Sequence, residues 1–375
     1  MQVIRLSLCQ SLPVQPPTRA QDRCYSQLHA PDFVSRLSVY SCPVPEDGFY
    51  VAGVPSAGMR VVSLLPSATE ICYALGVEPV GVSHECDCPP AARELPAMNR
   101  SRIDPDASST EINEQVAAAE EEGGVYAVDR EALAAADPDL VISQGVCDVC
   151  AVDSVLVRDA VADLGLNCEV LTLDTHTLGD LYADVETIGA ATGREAEAAE
   201  VVADLKERVA AVERRVDEAL QADEDGERPR VAVLDWLDPV MVAGHWVPEL
   251  VDLAGGRYGM AATGERSRPR EWAEVREYDP EVLVAAPCGF GLGQTLANRA
   301  ELTDRPGWAD VAAVADGRAV AMDGHHYVNR PGPRLVDTLE HLASVLHPDV
   351  FGDPPEETVR PLGVDGSNFP TAIIF

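Results

Sequence analysis

The chain has 375 residues, 46% of them hydrophobic, and a formal net charge of −35. That length allows two domains with cores of their own, and no apolar run approaches the roughly 18 residues a membrane-spanning helix needs, so membrane insertion is not expected. A surface this acidic repels nucleic acid and anionic lipid and disfavours both as partners; with one lysine, Lys206, against 27 arginines, it reads as the surface of a halophilic protein, soluble where salt screens its self-repulsion.

Residues 1–58 differ from the rest of the chain. Four acidic residues (Asp22, Asp32, Glu46, Asp47) balance four arginines (Arg5, Arg19, Arg23, Arg36), so the stretch sums to zero, and Pro13, Pro16, Pro17, Pro31, Pro43 and Pro45 break it repeatedly. The apolar run Val3–Leu8 is short, is cut by Arg5, and places Leu8 before Cys9, which fits neither a secretory signal nor a lipoprotein site. The expectation is a disordered or untranslated leader with Met59 as the true start. The protein as encoded is then cytoplasmic, and extracytoplasmic only if the assigned start hides an export signal.

From Met59 the pattern becomes regular. RVVSLLP (60–66) reads as a strand, and Ser67 with Glu70 as a capping box opening a helix that Gly76 stops. A short strand PVGVS (79–83) runs into the loop HECDCPP. Ser108 and Glu111 cap the next helix, and Asp129 caps DREALAAAD before the strand DLVISQ (139–144). Helix 154–165, strand 168–174 and a helix from Leu178 complete a first lobe. In the stretch from Glu195 to Gln221, Val201, Leu205, Val209, Val212, Val216 and Leu220 recur every three or four residues without Gly or Pro, the mark of one long helix of roughly 40 Å. The second lobe repeats the grammar: strand 230–236, helix 247–256, helix and strand in WAEVREYDPEVLVAA (272–286), a last strand 317–324, and a closing helix from Pro333 to Leu346, with a loose tail after Pro348. Strands alternating with helices imply an α/β fold with mostly parallel sheets. The boundaries expected are a leader 1–58, an N-terminal lobe 59–190, the inter-lobe helix 191–227, a C-terminal lobe 228–348 and a tail 349–375.

The order RVVSLLPSATEICYALGVEPVGVSHECDCPP, DPDLVISQG, the long helix, and RPGPRLVDTLEHLA resembles the helical-backbone (class III) substrate-binding proteins of ABC transporters, and within them the cobalamin-binding branch. The resemblance covers about 59–347. It implies two α/β lobes joined by one rigid helix, a ligand cleft between them, cobalamin or a related corrinoid as ligand, no cofactor and no catalysis of its own, and a monomer serving an ABC transporter permease. It also implies that a glutamate on each lobe docks on the transporter: Glu131 by position, and Glu274 displaced by one. Glu85 stands where the family carries a tyrosine. The other branch, binders of ferric siderophores and haem, is the alternative.

Cleft residues follow from the loops that leave the sheets at strand C-termini. His84, Glu85, Tyr126, Trp236, His245, Trp246, Phe290, His326 and Tyr327 stand at such loop ends in both lobes, and planar aromatics suit the faces of a corrin ring. CGFGLGQT (288–295) lacks both the full G-x-G-x-x-G and the G-K-[ST] ending of a phosphate loop and reads as a flexible ligand loop. Cys86 and Cys88, with Cys147 and Cys150, supply a rival reading: a metal or redox site in a cytosolic Cys-dependent enzyme. C-x-C fits common zinc spacings poorly, so passive thiols are favoured and no metal is assigned.

Overall fold

A computed structural model describes residues 58–363 apart from 122–123, 146–151, 153 and 223–225, all within one compact unit. The first lobe runs β1 (Val61–Ser63), α1 (Pro66–Ala74), β2 (Gly81–Val82), β3 (Asn99–Ser101), α2 (Ser109–Glu121), β4 (Tyr126–Val128), α3 (Arg130–Ala136), β5 (Leu140–Gln144), α4 (Ser154–Leu164), β6 (Glu169–Leu173) and α5 (Leu178–Thr192). Its sheet has the order β2-β1-β5-β6 and every pairing is parallel. β5 is buried at all of its positions, which is why LVISQ shows no polar alternation. β3 and β4 form a separate antiparallel pair that no sequence pattern announced.

α6 (Glu195–Ala222) is the expected rod, 28 residues long. Val201, Val202, Leu205, Val209, Val212 and Val216 are buried along it in the largest core cluster, together with residues of both lobes. Burying each of them contributes roughly 1.5–3 kcal/mol as an upper figure. Gly189 lets α5 lie against α6: a Cβ there would stand 2.5 Å from the Ala198 Cβ.

The second lobe runs β7 (Val231–Trp236), β8 (Met241–Val242), α7 (Val247–Leu253), β9 (Arg268–Pro269), α8 (Trp272–Tyr278), β10 (Val282–Ala285), α9 (Leu292–Ala297), α10 (Ala300–Thr303), α11 (Ala312–Ala315), β11 (Ala319–Met322), α12 (Leu335–Leu346), α13 (Pro348–Phe351) and β12 (Val359–Pro361). The sheet order is β12-β11-β10-β7-β8-β9. Its centre, β11-β10-β7, is parallel and matches β6-β5-β1 of the first lobe.

The likeness reaches individual hydrogen bonds. α3 and α8 both end on an aspartate in the left-handed region, Asp137 (φ 42°) and Asp279 (φ 49°), a conformation Asp tolerates better than most residues. Arg60, before β1, gives its N–H to Asp139 Oδ2 (2.7 Å) and its Nε to Ala136 O (2.7 Å). Arg230, before β7, gives its N–H to Glu281 Oε2 (2.9 Å) and its Nε to Asp279 O (2.8 Å).

Three local expectations are corrected. α1 begins at Pro66 with Leu65 as N-cap and no side-chain cap; proline in the first turn brings no orphan N–H of its own, and Glu70 is used elsewhere. The GFGLG stretch is not a flexible loop, because Phe290 is buried and α9 starts directly after Gly291. The loose tail is an ordered edge as far as it is described: β12 pairs antiparallel with β11, and Val359 and Leu362 are buried. The stretch 1–57 and the end of the tail, 364–375, lie outside the described residues.

Candidate functional site

The lobes meet along two lines. On one, beside α6, Glu70 of α1 and Asp87 of the loop after β2 face Arg330 and Arg334 of the segment between β11 and α12. Arg330 Nη1 lies 3.1 Å from Glu70 Oε1 and 2.5 Å from Asp87 Oδ1, Arg334 Nε lies 3.1 Å from Glu70 Oε2, and Arg334 Nη2 also bonds Glu70. Nearby, His176 Nδ1 and His245 Nδ1 are 3.1 Å apart, and the Leu178 N–H donates to Glu249 (2.9 Å). On the second line, the start of α2 touches the second lobe. Thr110 donates to Asp238 Oδ2 (3.0 Å), the Asp238 N–H donates to Ser109 Oγ (3.1 Å), Ser109 Oγ also bonds Glu301, and Gln294 donates to Pro105 O (2.6 Å).

Each lobe carries an aromatic pair among the expected site residues. His84 lies against Tyr126, ring centroids 5.7 Å apart, and Trp236 against Phe290 at 5.3 Å. His84 is positioned by Asn99, whose Oδ1 accepts the His84 N–H (2.9 Å) and lies 3.1 Å from its Nδ1. Two buried donors at these pairs, Trp236 Nε1 and Asn99 Nδ2, have no hydrogen-bond partner among the described residues; each such donor carries a cost that an acceptor on a ligand would remove. Glu85 sits beside them, its carboxyl raised above the ordinary range by burial despite the nearby charges of His84 and Arg330.

The remaining site candidates are placed differently. Trp246 is a core residue: it is buried within the cluster around α6 and α7, and its indole N–H donates to Val328 O (2.8 Å). Tyr327 packs edge-on to His341 and under the Arg334 guanidinium; burial pushes its hydroxyl up to about 12. Neither offers a ring face to a cleft ligand without repacking. His245 is spent on His176. Burial, reinforced by His176 and Arg266, lowers it to about 4, so near neutral pH its ring is uncharged.

His326 joins the inter-lobe network. Its Nδ1 is 2.8 Å from Asp323 Oδ2 and its Nε2 is 3.0 Å from Asp87 Oδ2. Burial alone would lower it, but the two carboxylates hold it up at about 9. Burial likewise would raise Asp87, yet the His326 hydrogen bond and the Arg330 charge pull it well below the usual carboxylate range.

Of the four thiols, Cys147 and Cys150 lie outside the described residues. Cys86 is buried with its Sγ 3.0 Å from Thr69 Oγ1, and burial pushes it up to about 12, which makes it an inert packing group. Glu131 and Glu274 are exposed in the first turns of the equivalent helices α3 and α8; Glu274 also accepts the Glu271 N–H (2.9 Å) and pairs with Arg270 (3.4 Å).

Residues absent from the expected set are therefore central: Glu70, Asp87, Asn99, Arg330 and Arg334. Both arginines stand in the RPGPR stretch, but nothing in a single sequence distinguishes a buried arginine from a solvated one.

Two lobes of matched construction are thus joined by one long helix whose buried face shares a core with both. The family described as periplasmic binding protein matches residues 61–325, and the chain belongs to it. It is 25% identical over 299 residues, 78% of this chain and 81% of the relative, to an uncharacterized ABC transporter substrate-binding lipoprotein of Bacillus subtilis. It is 26% identical over 297 residues, 77% of this chain and 69% of the relative, to a cobalamin-binding protein of Halobacterium salinarum. The structure is similar to that of a periplasmic heme binding protein from Pseudomonas aeruginosa, with a TM-score of 0.60, 21% identity, and coverage of 81% of this chain and 97% of that one. These findings overturn the cytoplasmic expectation, since the relatives are named as a lipoprotein and as periplasmic proteins. Among the described residues no helix is long and apolar enough to cross a membrane.

Proposed function

We propose that the chain is the substrate-binding component of an ABC-type uptake system, working outside the membrane, and that its cargo is a corrinoid held between the lobes by His84 and Tyr126 on one side and Trp236 and Phe290 on the other. The observation that carries this reading is the pair of unpartnered donors, Trp236 Nε1 and Asn99 Nδ2, set beside aromatic rings. A corrin ring presents apolar faces to such rings and a rim of amide carbonyls to such donors. The acidic groups weigh against anionic cargo. The chain carries −35 overall, which disfavours haem carboxylates and anionic ferric siderophores relative to a ligand whose periphery is neutral amide. The relative named as a cobalamin-binding protein supports the same choice.

The chain brings no cofactor and no reaction of its own to this role. Glu131 and Glu274, on the equivalent turns of α3 and α8, are the acidic contacts for the transporter, one per lobe. Calorimetric titration of the protein with cyanocobalamin in molar KCl tests the reading. One ligand per chain is expected, weakened in Trp236→Ala, and no heat with cyanocobalamin under conditions where haemin or a ferric hydroxamate binds would reject it.

A further inference from the structure

The geometry points to a transition-metal site formed by Asp87, His325 and His326, where an ion such as Zn²⁺ would clasp the two lobes. One donor atom from each of these residues lies within 4.8 Å of the other two. Asp87 comes from the loop after β2 in the first lobe, and the histidines come from the turn after β11 in the second.

The backbone of that turn is built to hold the two imidazoles. Gly324–Val328 forms a single π-helical turn, a feature that recurs at functional sites. It is pressed onto the β10 loop so closely that a Cβ on Gly324 would stand 2.2 Å from Pro287 O. The N–H groups of Gly324 (3.1 Å) and His325 (2.9 Å) both donate to Phe290 O. The consecutive rings are thereby set with centroids 4.5 Å apart and planes at 87°.

His326 is oriented as a metal-binding imidazole is. Asp323 accepts both the His326 N–H (2.8 Å) and the Nδ1 contact (2.8 Å), which leaves Nε2 turned to Asp87 Oδ2 at 3.0 Å. Carboxylate on one nitrogen and metal on the other is the usual outer-sphere arrangement of ligating histidines. Two donors each about 2.0–2.2 Å from one ion, at an angle near 90–110°, stand roughly 3.0–3.5 Å apart, so an ion fits between Nε2 and Oδ2 with little movement. His325 completes the set by turning its Nε2 away from Arg330 Nη2, now 3.3 Å away.

Arg330 engages Asp87 through Oδ1, and Asp87 Oδ2 faces His326 Nε2, with the exposed Arg93 guanidinium 3.7 Å from it. Two imidazoles and one carboxylate suit Zn²⁺, Co²⁺ or Ni²⁺ rather than Mg²⁺ or Ca²⁺.

The inference goes beyond the corrinoid reading and is tested without cargo. Metal-free full-length protein in molar KCl, with excess Mg²⁺ to occupy surface carboxylates, is titrated with Co²⁺ while its visible ligand-field absorption is followed, and with Zn²⁺ by calorimetry. One ion per chain is expected, with a Co²⁺ spectrum distinct from the aqueous ion. Zn²⁺ should raise the melting temperature. His325→Ala and His326→Gln should each weaken binding at least tenfold. A parent whose Co²⁺ spectrum stays that of the aqueous ion overturns the proposal, as does equal Zn²⁺ affinity in parent and double variant. Since the parent spectrum decides by itself, a variant that misfolds does not leave the question open.

Discussion

Glu70→Gln removes one charge from the network that joins the lobes. In the parent the Glu70 carboxylate is 7% exposed and binds both Arg330 and Arg334, which are 3% and 2% exposed. The amide keeps one acceptor oxygen, turns a donor NH₂ toward guanidinium donors, and leaves Arg334 with Asp87 at 3.7 Å as its remaining carboxylate. Breaking a buried ion pair by removing one partner costs about 3–5 kcal/mol, because the charge left behind remains desolvated. For a chain of this size each kcal/mol lowers the melting temperature by about 2–4 °C, so a fall on the order of 10 °C is expected. Molar salt should change this little, since buried pairs are weakly screened. The assay is reversible thermal unfolding in molar KCl beside a control, Arg130→Gln, which breaks the exposed pair with Asp163 and should cost less than about 1 kcal/mol. Equal melting temperatures for Glu70→Gln and the control would refute the claim that this network holds the lobes together.

Leu205→Ala, at a fully buried position of α6, should cost about 2–5 kcal/mol in urea unfolding; a loss under about 1 kcal/mol would mean that the rod does not share the core of both lobes. The two tryptophans should separate function from stability. Trp236→Ala should weaken cyanocobalamin by up to about thirtyfold, equivalent to 1–2 kcal/mol of lost contact, with little change in melting. Trp246→Ala should cost about 3–5 kcal/mol of stability, and the reverse pattern would show that the two residues have been assigned to the wrong roles. Asp184 sets a pH dependence: burial raises its carboxyl from 3.8 to about 6, against the Thr175 hydrogen bond. A raised folded value means that its stabilising contribution is complete below pH 3.8 and is lost as pH rises through about 6. Asp184→Asn should therefore be the more stable form at pH 8, with its advantage shrinking toward pH 4, and an advantage that does not depend on pH would contradict this assignment.

Legibility in the sequence tracks periodicity. α6 shows itself because six apolar residues at helical spacing leave no other reading, and the matched lobes because DREALAAADPDLVIS and WAEVREYDPEVLVAA place the same turn chemistry before two wholly apolar strands. β3 and β4 escaped because Asn99–Ser101 and Tyr126–Val128 are three residues each, too short for any alternation, and β12 because VRP carries a proline. The strand-end rule brings His84 against Tyr126 and Trp236 against Phe290, one pair in each lobe. Trp246 and Tyr327 show the limit of that rule. Both follow strands, but one packs into the core and the other against α12, and which way a loop turns depends on long-range packing. Glu70 is the plainest case: its spacing from Ser67 satisfies a capping box, yet two arginines some 260 residues further along the chain claim its carboxylate.

The most direct test of the central claim is an absorption titration of the full-length protein in molar KCl with cyanocobalamin, haemin and a ferric hydroxamate, each alone and then in competition. The account predicts saturable binding of one cyanocobalamin per chain at micromolar concentration or below, not displaced by equimolar amounts of the other two. Saturable binding of haemin or the ferric hydroxamate with no response to cyanocobalamin would contradict it.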